Sequence, residues 1–118
     1  MIDIESVIRE IKALREHATA EEKERLDWHE FHPSSDENCI YGLMTGHCDS
    51  IRAKELAEIA GNKKEIHPSG WVYKVSPLEV FIHDYDDFNF EILQYIKGEI
   101  DVLPDLSLAL GFEDELTD

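Results

Sequence analysis

Five side chains able to bind a transition metal fall within twenty consecutive positions: His29, His32, Cys39, His47 and Cys48. Zinc takes four such donors at the corners of a tetrahedron and favours imidazole nitrogens and thiolate sulfurs. His29 and His32 stand three apart, so a helix over that segment sets both on one face. The cysteines stand nine apart rather than in a Cys-x-x-Cys knuckle, and His47 abuts Cys48, so the spacing departs from the recognised zinc patterns. A structural zinc on His29, His32, Cys39 and Cys48 is one reading. The commoner outcome for such residues is that both cysteines are small buried hydrophobes holding a loop. Cys48 also has a thiol-chemistry reading. It lies at the start of an expected helix, where the dipole and free N–H groups favour a thiolate, with His47 beside it. Neighbouring side chains point apart, and no cysteine-protease signature surrounds the pair, so an enzyme ranks third and no catalytic residue is assigned.

Carboxylates are the other abundant chemistry. Asp84, Asp86 and Asp87 crowd beside His83 and Tyr85, and Asp-x-Asp suits a divalent cation when a loop gathers further oxygens. An EF-hand needs glutamate at its twelfth position, where this chain has Tyr95. Aspartates that close a turn and cap a helix explain the cluster more simply. Asp84, Asp86, Asp87, Glu91, Glu99, Asp101 and Asp105 together offer a surface that suits a basic protein partner, the kind that normally holds nucleic acid. Solubility alone explains the same acids. No dinucleotide fingerprint, P-loop or nucleophile elbow occurs, and Lys63-Lys64 is the only adjacent basic pair.

The whole chain has 118 residues, with 27 acidic and 11 basic side chains and a formal charge of −16. Much of the imbalance lies beyond residue 83, where eleven acids face one base, Lys97. That charge repels nucleic-acid phosphates and anionic membranes, so direct binding to either is disfavoured. Two cysteines rule out a disulfide-dense scaffold. The start, Met-Ile-Asp-Ile-Glu-Ser, lacks the basic and apolar pattern of a signal peptide, and no apolar run is long enough to span a bilayer. A cytoplasmic protein with reduced thiols is the expectation.

The elements that must position these groups read mainly as helices. Ile4, Val7, Ile8, Ile11, Leu14 and Ala18 form one apolar stripe, with Glu5, Arg9, Glu10, Lys12, Arg15 and Glu16 on the outer face and Asp3 as cap. Thr19-Ala20-Glu21-Glu22 is a capping box that opens a second helix, expected to run to Trp28 or Phe31. Residues 39–50 read as a compact apolar loop punctuated by Gly42 and Gly46. Asp49 or Ser50 then caps a helix through Ala60, and Trp71–Val75 favours a short strand. Ser76-Pro77-Leu78-Glu79 favours a helix start over the strand suggested by Val80-Phe81-Ile82. A last helix covers 87–97, and Val102-Leu103-Pro104 suggests an extended edge. The expected fold is α+β, mostly α. It has four to five helices and one or two short strands in a single domain over 1–112, with an acidic tail at 113–118.

The stretch from Cys39 to Leu56, Cys-Ile-Tyr-Gly-Leu-Met-Thr-Gly-His-Cys-Asp-Ser-Ile-Arg-Ala-Lys-Glu-Leu, resembles one in small uncharacterised proteins of bacterial phages and mobile elements. Ser76–Ile82 is similar to a segment of the same proteins. The resemblance implies a phage or mobile-element context, in which accessory proteins that bind and modulate host machinery are common. It brings no activity and no catalytic residue. It favours a protein-interaction module, with Trp28, Trp71 and Tyr73 as aromatic contacts.

Overall fold

The computed structural model describes residues 3–33, 35, 37–48, 50–62, 64–66, 68, 72–74, 76–85 and 87–108, with the backbone alone described for 64–66 and 72–74. Helix α1 (Ile4–His17) follows its stripe: Val7, Ile11 and Leu14 are buried, and the Asp3 carboxylate accepts the Glu5 N–H. Helix α2 (Ala20–Glu24) begins with the complete reciprocal capping box of Thr19 and Glu22 but ends after five residues. Beyond it Leu26 is buried in the core and Phe31 packs against it half-buried, and the Asp27 carboxylate accepts the His29 N–H, which closes a turn in place of a continuing helix.

The segment read as an apolar loop contains helix α3 (Ile40–Thr45). Cys39 caps it by accepting the Gly42 N–H at its sulfur, and Gly46, at φ +99°, ends it. Ile40, Tyr41 and Met44 are buried, so packing stabilises a helix that glycine weakens locally. Ser50 caps helix α4 (Ile51–Ile59), which buries Ala53, Leu56 and Ala57. Strands β1 (Lys64–Ile66) and β2 (Val72–Lys74) pair antiparallel, with Glu65 opposite Tyr73. The rest of the expected strand, Trp71 and Val75, lies outside the described residues. Helix α5 (Pro77–Asp84) buries Leu78, Phe81 and Ile82 while Val80 faces water, a helical spacing that settles the choice against a strand. Helix α6 (Asn89–Lys97) buries Ile92, Leu93, Tyr95 and Ile96 and stops at Gly98, φ +85°. Residues 102–104 form no strand, and Val102 is exposed.

These findings correct the fold class: the protein is all-α rather than α+β. Among the described residues, six helices build one continuous core, with α1 packed against α4, α5 and α6. Among the described residues, every member of that core lies in a helix, in a connection between helices or, for Leu106, in the segment after α6, and the three-residue strands pair only with each other. The acidic tail expected at 113–118 lies outside the described residues. Among the described residues, no helix is long and apolar enough to cross a membrane.

Candidate functional site

The metal candidates are not gathered. His29 and His32 are exposed and sit in the turns after α2, not on a shared helical face. Cys39 is buried at the start of α3, and Cys48 is half-buried in the connection to α4. Among the described residues, no three His, Cys, Asp or Glu side chains are placed to hold a metal ion. Burial, together with the nearby charge of Glu79, pushes the Cys39 thiol up to about 12, which keeps it protonated at physiological pH. Ser50 takes the cap position of α4, so Cys48 stands two residues outside that helix's first N–H groups.

The most ordered chemistry lies instead around Glu10, which belongs to the core and not to the outer face of α1: its exposure is 0%. Four donors converge on its carboxylate. Oε1 accepts from the Leu78 N–H at 2.9 Å. Oε2 accepts from the Tyr41 hydroxyl at 2.5 Å, the Ser76 hydroxyl at 2.5 Å and the Asn62 amide at 3.2 Å. The cause is the start of α5. Pro77 has no N–H, so Leu78 carries the first exposed donor of that helix, and a carboxylate there satisfies the donor and the helix dipole together. The sequence held a signal for this: Glu10 is three residues after Val7 and four before Leu14, both buried.

Glu79 departs from its local motif. Its N–H is accepted by the Ser76 hydroxyl at 3.1 Å, as in a capping box, but its own Oε1 is buried without a hydrogen-bond partner. Desolvation raises Glu79 to about 7, the charge of Glu10 adds to the rise, and the Cys39 thiol and the Tyr41 N–H work against it. Burial and Glu10 also hold the Tyr41 phenol well above its usual range. With Glu10 and Tyr41 enclosed, this cluster ties α1, α3, the start of α5 and the connection after α4 together.

The acids of the last third divide into two groups. Asp84 ends α5 with its carboxylate 3.3 Å from His83, and Asp87 precedes α6, whose first turn carries Glu91. Glu99, Asp101 and Asp105 follow α6, a helix of nine residues and so about 13 Å long. Asp101 is paired with Arg15 at 3.1 Å, and the same guanidinium lies 4.2 Å from the centre of the Tyr95 ring. The Asp105 carboxylate accepts from the hydroxyl and N–H of Ser107. Asp86 lies outside the described residues.

Beside the first group lies an aromatic ledge. Trp28 stacks on Phe31 with ring centres 5.9 Å apart and meets Phe90 edge-on at 5.4 Å. Trp28 is 40% exposed and Phe90 44%. Asp27 and Glu30 flank Trp28 in the chain, as Asp87 and Glu91 flank Phe90. Sequence reading selects Trp28 but misses Phe90, whose signal is a large aromatic standing off the buried stripe of α6. Trp71 and the side chain of Tyr73 lie outside the described residues.

Compared with known proteins, the chain matches no family model, no curated protein and no solved structure.

Proposed function

We propose that this chain is a small acidic protein-interaction module of the cytoplasm that engages a basic surface on a protein that itself handles nucleic acid. One observation supports this most directly. Arg15, Arg25 and Arg52 are engaged by the protein's own groups, whereas Asp87, Glu91 and Glu99 face no cation among the described residues. Arg52 alone serves both oxygens of Glu22, one of Glu55 and the His17 carbonyl. With those guanidinium groups already engaged, the charge of −16 gives a negative field that speeds and orients encounter with a positive partner. The resemblance to phage and mobile-element proteins supports an accessory role of this kind.

Co-purification from the native host with mass spectrometry identifies the partner, and calorimetric titration of that purified partner tests the reading. Affinity is expected to fall steeply as salt rises, because exposed charges are screened beyond a Debye length. Affinity unchanged between low and high salt refutes the electrostatic basis.

A further inference from the structure

We infer that Trp28, Phe31 and Phe90 form a docking ledge for an arginine side chain of the partner, with the guanidinium laid against the aromatic rings and the neighbouring carboxylates closing on its N–H groups. This rests on the acidic-module reading and adds the place and the chemistry of contact.

The protein's own Arg15 shows the arrangement at work. Its guanidinium is held by an aromatic ring, Tyr95, and a carboxylate, Asp101, at the same time. The ledge supplies the same two ingredients, the exposed rings of Trp28 and Phe90 beside the half-buried Phe31, and the exposed acids Asp27, Glu30 and Asp87, yet among the described residues no cationic side chain lies over Trp28, Phe31 or Phe90. Tryptophan is the strongest cation–π acceptor among the side chains. Its contacts with Phe31 and Phe90 limit the rotation of all three, so binding loses little side-chain freedom. Exposed aromatic clusters rimmed by polar residues mark interaction sites, and tryptophan is enriched among residues that dominate binding energy.

The choice of arginine follows from the ledge. A planar, weakly hydrated guanidinium stacks on rings and still presents N–H groups at its edge to carboxylates. An ammonium is more strongly hydrated and has no plane to stack. Charge alone would treat the two alike; an aromatic surface separates them.

The test uses the full chain with Trp71→Phe, which leaves Trp28 as the only tryptophan reporter. Acetylated Gly-Arg and Gly-Lys repeat peptides of equal length are titrated at low salt, followed by tryptophan fluorescence and calorimetry. The Gly-Arg peptide is expected to bind about fivefold tighter than the Gly-Lys peptide, with a change in Trp28 emission. Phe90→Ala and, separately, the exposed acids changed together as Glu30→Gln with Asp87→Asn are expected to reduce that preference or that affinity while the circular dichroism spectrum is unchanged. Salt-sensitive binding of both peptides with equal affinity and unchanged Trp28 emission overturns the ledge and leaves the acidic-module reading standing. Absence of binding by either peptide at low salt overturns both.

Discussion

Replacing Glu79 by glutamine isolates the contribution of one buried proton. In the folded chain the carboxyl titrates near 7, against 4.5 for an ordinary glutamate. The native state therefore holds the proton more tightly than the unfolded state does. The stability linked to that proton is full below pH 4.5, declines as pH climbs through about 7, and is flat above. At about 1.36 kcal/mol for each pH unit between the two values, the wild-type chain loses roughly 3 kcal/mol across the whole interval. Roughly 2 kcal/mol of this falls between pH 5 and pH 8. Glu79→Gln keeps the shape and abolishes the titration. Its carboxamide still meets a site without a partner for Oε1, so a constant offset of about 1 kcal/mol in either direction is expected. The pH-dependent part is the diagnostic quantity. Urea unfolding followed by circular dichroism at pH 5, 6, 7 and 8 gives the stability of each chain. The variant is expected to gain roughly 2 kcal/mol on the wild type from pH 5 to pH 8. Parallel curves would refute the assignment of a raised, desolvated carboxyl to Glu79.

Tyr41→Phe removes one of four donors to Glu10 and is expected to cost about 2 kcal/mol by urea unfolding, because a charged acceptor inside the core loses a partner. Arg52→Ala releases the largely buried Glu22 carboxylate and the His17 carbonyl, and is expected to cost about 1 kcal/mol, a loss that shrinks in high salt. The Cys39 thiol, at about 12 and buried, is roughly one part in ten thousand thiolate at pH 8, so alkylation of the native chain with peptide mapping should leave Cys39 unmodified until denaturant is added.

What could be read from the sequence was local. Asp3, Thr19, Ser50 and Ser76 cap the helices that follow them, and Gly98 stops α6, because a cap needs only residues within a turn or two of itself. Two of the misreadings share a distant partner. Trp28 and Phe31 count as the face of a longer α2 until Phe90, far along the chain, is seen to meet Trp28. Glu10 passes for a surface charge because its donors come from residues 41, 62, 76 and 78. Gly42 reads as a loop residue, but the buried Ile40, Tyr41 and Met44 around it hold α3 together. The His and Cys candidates were close in sequence, and the turns after α2 keep the histidines at the surface while Cys39 enters the core. The strand-like Trp71–Val75 reduces, where described, to three residues of a hairpin outside the helical core.

The four-donor carboxylate of Glu10 also bears on the order in which the chain folds. Two donors, Tyr41 and Asn62, arrive early in the sequence; the other two, at Ser76 and Leu78, arrive only with the start of α5. A nascent chain ending before Ser76 must either enclose Glu10 with half its partners missing or leave that turn of α1 open to water, and an enclosed, under-bonded charge is the more costly state. The front helices therefore complete the contacts of Glu10 only once the start of α5 is present. Their docking waits on a contact spanning more than sixty residues, which raises the loop-closure cost of the first productive encounter and makes the final collapse cooperative. Burst-phase kinetics of a chain cut before Ser76, compared with the full chain, would show this as the loss of the folding transition as a whole and not of one helix.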